Sequence, residues 1–216
     1  MRFGFGWRLE GAREVRRLYA RIRGESNAAV LLCANHLTML DSFVIAWALA
    51  SPWWLVVHYA SLPWNTPDRE HFASTWWKRA LVYVMKCIPV ERGGDRRAIG
   101  AVLDRLVYLL ERGDVALVFP EGGRSRSGRV DAEATTYGSG RVVKALPGCR
   151  VLCLYLRGRG QHSWSSRPAF GERFALSAEV IEPKTDQRGL RGSLDISRQI
   201  LARLEQMERR HFDGGQ

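Results

Sequence analysis

Apolar residues in this chain come in short bursts, and their rhythm dictates the architecture. Runs stand at 28–34 (AAVLLCA), 53–59 (WWLVVHY), 86–90 (KCIPV), 115–120 (VALVFP), 150–156 (RVLCLYL) and 173–183 (RFALSAEVIEP). Short, nearly continuous apolar runs bounded by polar or turn residues read as buried strands. Between them, 42–50, 70–85, 95–112 and 193–211 read as helices. Ile99, Val102, Leu103, Leu106, Leu109 and Leu110 share one helical face, and Gly113 ends that helix. Ile196, Ile200, Leu204 and Met207 do the same near the end of the chain. Strands alternating with helices predict an α/β fold: a single domain with a largely parallel central sheet flanked by helices. A length of 216 residues suits one such domain.

Residues 1–24 stand apart. They are rich in arginine, and Val15, Leu18 and Ile22 recur at helical spacing. This predicts a basic amphipathic helix lying on an anionic bilayer surface, ahead of a main domain over 25–216. A helix packed on that domain with its arginines in water is the other reading. The segment itself has no apolar core of a secretory signal and no small-residue cleavage site. The most apolar stretch, 43–62, is interrupted by Ser51-Pro52, so it reads as a helix, a turn and a buried strand rather than a membrane span.

The charge narrows the partners. Lys and Arg total 33 against 22 Asp and Glu, a net +11. Such a field favours nucleic acid, a phospholipid surface or a phosphorylated substrate. The 8 tryptophans suit either a membrane interface or a core. Among Cys33, Cys87, Cys149 and Cys153 the one close pair, Cys149-x3-Cys153, has no nearby histidine to complete a zinc site, so no metal is expected. They read as reduced, mostly buried thiols of a cytosolic protein.

Three polar clusters directly follow apolar runs, and a sheet of this kind binds ligands beyond the carboxyl ends of its strands. The first is NHLTMLD, with Asn35, His36 and Asp41. Five residues along a helix turn about 500°, so His36 and Asp41 meet only if the chain bends between them. Asp41 then orients an imidazole that removes a proton from a hydroxyl. Its structural alternative is to cap a helix starting at Ser42. The second cluster is FPEGGRS at 119–125. Its glycines allow a close backbone approach, and Arg124 offers bidentate phosphate contact. The third is VERGG, with Arg92.

In this order the clusters resemble the glycerolipid acyltransferase superfamily, which includes the lysophosphatidic acid (1-acylglycerol-3-phosphate) O-acyltransferases. Asn35, His36 and Asp41 fit its Asn-His-x4-Asp motif. Arg92 fits its arginine after a short apolar strand, and FPEGGRS fits FPEGTRS except at Gly123. The likeness spans roughly residues 25–180, so 25–216 is expected to be the acyltransferase domain. The resemblance implies that His36 is the general base and Asp41 its orienting acid. Asn35, Arg92, Glu121, Gly122, Arg124 and Ser125 would bind substrate, with Glu121 holding the acceptor and the two arginines its phosphate.

It also implies an acyl-CoA or acyl-carrier-protein thioester as co-substrate, no cofactor, no metal and no acyl-enzyme. The acceptor would be a lysophospholipid, most simply 1-acylglycerol-3-phosphate giving phosphatidate, in phospholipid biosynthesis. The enzyme would sit at the cytoplasmic face of a membrane, peripheral or monotopic. The partners expected are an anionic membrane surface and, where it is the donor, acyl-carrier protein; nucleic acid is not expected. Gly123 in place of threonine, and Cys153 where a late strand of the family carries proline, leave a non-glycerophosphate lipid acceptor as the alternative.

Three rivals explain less. A serine hydrolase lacks its G-x-S-x-G elbow, although Ser139 lies between glycines. A nucleotide enzyme lacks the Gly-Lys-Ser/Thr of a phosphate loop. A non-enzymatic basic protein on a membrane or nucleic acid gives no reason for His36, Asp41, Glu121 and Arg124 to fall at strand ends.

Overall fold

A computed structural model describes residues 5–25, 28–67, 83–90, 94–131 and 133–214. Its strands are β1 (Arg8–Glu10), β2 (Val30–Ala34), β3 (Trp64–Asn65), β4 (Val115–Val118), β5 (Arg150–Gly158) and β6 (Arg173–Ile181). Its helices are α1 (Ala12–Gly24), α2 (Asp41–Leu49), α3 (Pro52–Val57), α4 (Arg96–Glu111), α5 (Gly138–Ala145) and α6 (Gly189–Asp213). The strands form one sheet in the order β1-β6-β5-β2-β4-β3. Every neighbouring pair is parallel except β5 and β6.

The period of two along each strand divides the core into two layers. Leu31 and Cys33 of β2, Ala116 and Val118 of β4, and Val151 and Cys153 of β5 pack under α4, α5 and α6. Val30, Leu32 and Ala34, with Val115, Leu117, Leu152 and Leu154, pack under α1 and α2. The single α/β domain, its largely parallel sheet and its flanking helices are those expected. At the crossing of α5 and α6 the backbones nearly touch: a Cβ on Gly140 would lie 1.8 Å from the Ser193 carbonyl oxygen.

The N-terminal segment is built into this domain. β1 pairs with β6, and α1 buries Val15, Tyr19 and Ile22 in the core. The Tyr19 hydroxyl donates to the Ser61 carbonyl at 2.7 Å, and Arg16 donates to the carbonyls of Trp47 and Ala48. Arg13, Arg17 and Arg21 face outward.

Two expected strands are not strands. Residues 53–59 fall in α3 and a 3-10 turn over Tyr59–Ser61. The dipeptide that interrupts the apolar run is itself a helix start: the Ser51 hydroxyl accepts from the Trp54 N–H at 3.2 Å, and Pro52 occupies the first turn. Residues 86–90 contribute isolated bridges at Cys87, which pairs with Asn65, and at Val90, whose N–H donates to the Pro67 carbonyl at 2.9 Å. The expected helix over 70–85 lies mostly outside the described residues. Among the described residues no helix is long and apolar enough to cross a membrane.

Candidate active site

Parallel pairing of β2 with β4 sets their carboxyl ends side by side, so the loops carrying His36 and Glu121–Arg124 leave the sheet together. Asn35 fixes the first loop. Its side-chain amide donates to the Leu156 carbonyl at 3.0 Å, and its carbonyl accepts from the Leu156 N–H at 2.8 Å. That two-point grip ties the end of β2 to β5. The second loop binds the first through the Ser125 N–H, which donates to the His36 carbonyl at 2.9 Å.

His36 and Asp41 meet across the turn between them. The imidazole Nδ1 lies 3.0 Å from Asp41 Oδ2, with both side chains largely buried. Oδ2 also accepts from the Leu37 N–H at 2.6 Å and the Thr38 N–H at 2.8 Å, and Oδ1 accepts from the Thr38 hydroxyl at 2.6 Å. An ionised carboxylate only accepts, so Nδ1 is the donor and Nε2 carries the free lone pair. The imidazole lies flat on Phe119, with centroids 4.0 Å apart and planes at 16°. The helix-cap role foreseen for Asp41 is not observed. Leu40 is the N-cap of α2, and the Asp41 carboxylate turns back to the loop before it.

Glu121 is buried behind this pair rather than on the cleft wall. Its Oε1 faces the His36 N–H and its Oε2 the Asp131 N–H, each at 3.4 Å. Burial, only partly offset by those backbone N–H groups, raises its pKa to about 7. Gly122 turns the chain at φ +72°, where a side chain would be strained; a Cβ there would also lie 2.6 Å from Thr136 Cγ2. The Ser125 hydroxyl contacts Ser127 and the Arg129 carbonyl.

Arg124 returns to the cleft. Its guanidinium sits 5.0 Å from the Trp164 ring centroid, and among the described residues its Nη1 is buried with no hydrogen-bond partner. Met39, Phe43, Ala46, Leu62, Met85 and Phe119 supply apolar walls, with His36 and Arg124 on the same cleft. The loop between Arg124 and α5 is held from the far end of the chain: Glu208 on α6 accepts from the Val130 N–H through both oxygens at 3.2 Å and pairs with Arg129 at 3.3 Å.

The acyltransferase family model matches residues 8–157, from β1 to the end of β5. This chain belongs to the acyltransferase family. Its membership accords with the motif resemblance to glycerolipid acyltransferases. No curated protein matches the chain significantly.

Of the residues expected in this acyltransferase's site, His36 and Arg124 line one cleft, with Asp41 bonded to His36. Asn35, Glu121 and Ser125 brace the loops behind them. Gly122 lines a neighbouring apolar pocket that shares Phe119 and Thr66 with the cleft. Arg92 lies outside the described residues. Phe119, Thr38 and Trp164 had no role assigned from sequence. The first two lie inside the quoted motifs, so their positions were visible though their contacts were not. Trp164 comes from a distant loop with no local signal. Ser139 is buried and exchanges a hydrogen bond with Ser197 at 2.9 Å, so its hydroxyl is tied to α6 rather than to a base.

Proposed function

We propose that this acyltransferase moves a fatty acyl group from a thioester, acyl-CoA or acyl-carrier protein, to a hydroxyl of a lysophospholipid, with 1-acylglycerol-3-phosphate the acceptor of first choice. One observation carries the reading. The oriented imidazole of His36 and the guanidinium of Arg124, whose Nη1 has no hydrogen-bond partner among the described residues, share a cleft whose remaining walls are largely apolar. That combination suits a molecule with a hydroxyl, an anionic head and a hydrocarbon tail.

His36 Nε2 takes the acceptor hydroxyl proton as the oxygen attacks the thioester carbonyl. Asp41 keeps Nδ1 protonated and stabilises the imidazolium that forms. That attack makes the ester C–O bond; collapse of the tetrahedral oxyanion re-forms the C=O, breaks the C–S bond, and the imidazolium returns the proton to the departing thiolate. Phe119 under the ring restricts its rotation, and Arg124 holds the acceptor's phosphate. Glu121 acts as a positioning residue, because both its oxygens face backbone N–H groups of the two loops. The net charge of +11 favours approach of a phosphate-rich coenzyme or an acidic carrier. Four free cysteines accord with a reducing cytoplasmic side.

A different lipid acceptor is the second reading. Gly123 stands where a threonine hydroxyl would flank Arg124, which removes one donor from any phosphate site. Labelled acyl-CoA offered with a panel of lysophospholipids and other lipid alcohols, with products identified by mass spectrometry, decides between them. His36→Ala should lower the rate about 10²–10⁴-fold with the circular dichroism unchanged. Full acceptor-dependent turnover by that variant would refute the mechanism.

A further inference from the structure

α3 is an inside-out helix. Its sequence, PWWLVV, contains no charged or hydrogen-bonding side chain apart from the indole N–H groups, yet Leu55 is its one buried residue. Trp53 is 81% exposed and Val57 78%. A helix on a water-facing surface carries polar residues outward, and scattered single apolar residues need no explanation, but a contiguous patch does.

The patch extends to the cleft. The Tyr59 hydroxyl donates to the Val84 carbonyl at 2.5 Å, which joins exposed Tyr83 and Val84 to the segment after α3. Met85, next in the chain, lines the cleft together with Met39 and Phe43, all three partly exposed. An apolar apron thus runs from α3 to the mouth of the candidate active site.

The arginine-rich helix α1 adjoins it. The contacts of α1 reach the chain on either side of α3, through Arg16 to Trp47 and Ala48 and through Tyr19 to Ser61. Arg13, Arg17 and Arg21 point away from the core on the same helix. The exposed ion pairs from Arg17 to Glu14 and from Arg21 to Glu25 hold these cations only weakly.

We propose that this apron is the face by which the protein docks on a bilayer containing anionic phospholipid. α3 supplies the apolar contact and α1 the cationic fringe. Trp53, Trp54 and Tyr59 have an apolar ring body and one polar atom, the chemistry that settles at the headgroup boundary. The apolar residues of α1 are packed in the core, so that helix contributes charge rather than insertion. The cleft mouth at Met39, Phe43 and Met85 then opens beside the membrane. An acceptor can enter without drawing its hydrocarbon chain through water. This last consequence rests on the acyl-transfer reading; the docking itself does not.

The test uses the full chain, co-sedimented without substrate on vesicles of phosphatidylcholine alone and of phosphatidylcholine with phosphatidylglycerol. A triple variant, Trp53→Ser, Val56→Ser and Val57→Ser, changes only exposed positions. Its partition onto the mixed vesicles should fall about tenfold or more, with the melting curve unchanged. Arg13→Gln with Arg17→Gln should lose about fivefold per residue on the anionic vesicles alone, and added salt should erase that difference. Turnover of a bilayer-embedded acceptor should fall with the triple variant's binding, while turnover of a short-chain, water-soluble acceptor stays at the wild-type level. Wild-type partition by the triple variant overturns the proposal, as does failure of the wild-type protein to bind either vesicle. So does a wild-type dimer that the triple variant makes monomeric without loss of vesicle binding, since the face would then pair two copies. Loss of binding as expected, in a protein that transfers no acyl group, upholds docking and refutes the acyl-transfer reading.

Discussion

Replacing Asp41 by asparagine separates the two tasks that its carboxylate performs. Oδ2 accepts from His36 Nδ1, the Leu37 N–H and the Thr38 N–H, while Oδ1 accepts from the Thr38 hydroxyl. Asparagine can keep one oxygen where Oδ2 stands and set its NH2 against the Thr38 hydroxyl, which can rotate to accept. The number of hydrogen bonds then barely changes, and what disappears is the charge. A hydrogen bond to a charged group contributes about 1.5–3 kcal/mol and a neutral one about 1. Summed over the donors on Oδ2, the loop should lose roughly 2–4 kcal/mol.

The catalytic loss should be of another kind. A neutral amide no longer stabilises the imidazolium, and a flipped amide favours the tautomer with its proton on Nε2, where it cannot act as a base. The rate should fall on the order of 10²–10⁴-fold. Thr38→Val is the control. It removes the bond to Oδ1 and the one that Leu40 N–H donates to the Thr38 hydroxyl, but leaves the bond between His36 and Asp41. It should destabilise by about 1–3 kcal/mol yet keep activity within about tenfold. Acceptor-dependent thiol release, measured well below each variant's melting temperature, distinguishes them. If Asp41→Asn keeps near-wild-type turnover while losing stability like Thr38→Val, then Asp41 only builds the turn, and the orienting role is wrong.

Glu121 has a folded pKa raised above its ordinary value, from 4.5 to about 7, so its contribution to stability is fully present below 4.5 and is lost as pH rises through about 7. Its share of that decline is about 3 kcal/mol, and Glu121→Gln should flatten the pH dependence of urea unfolding by about that much; equal slopes in the two proteins would count against it. Arg124→Ala should raise KM for a phosphorylated acceptor about 10–100-fold with little change in kcat, since it removes charged hydrogen bonds made in the ground state as well. An unmoved acceptor KM would take phosphate binding away from this residue. Gly140→Ala puts a methyl group where the Ser193 carbonyl oxygen lies 1.8 Å away and should cost about 1–3 kcal/mol or more. Calorimetry should find the Tm lowered by several degrees, and an unchanged Tm would mean that α5 and α6 can part freely.

The centre of the sheet was legible in the sequence because β2, β4 and β5 are covered on both faces and so read as unbroken apolar runs. Its edges were not. β1 is three residues and β3 two, too short for a periodic signature, and their pairing is set by what surrounds them. α3 was misread because tryptophan and valine favour strands, while the serine and proline ahead of them were taken only as an interruption. In the candidate site, the motifs identified the neighbourhood of His36, Asp41 and Arg124. They did not tell which way Glu121 points. That depends on the turn at Gly122 and on partners at His36 and Asp131, each separated from Glu121 along the chain. The platform under Arg124 comes from Trp164, which no local pattern foretells.

Glu208 connects places that look unrelated on a map of the chain. It sits in the last turns of α6, faces no cleft, and grips the backbone at Val130. The stretch bearing Arg124 is therefore moored from the rear of the molecule. Shortening α6, or fusing a rigid partner that unwinds its tail, would slacken a rope whose other end is Arg124, the arginine proposed to hold the acceptor's phosphate. An assay would record the damage as a defect in acceptor capture, although nothing removed had ever met the substrate.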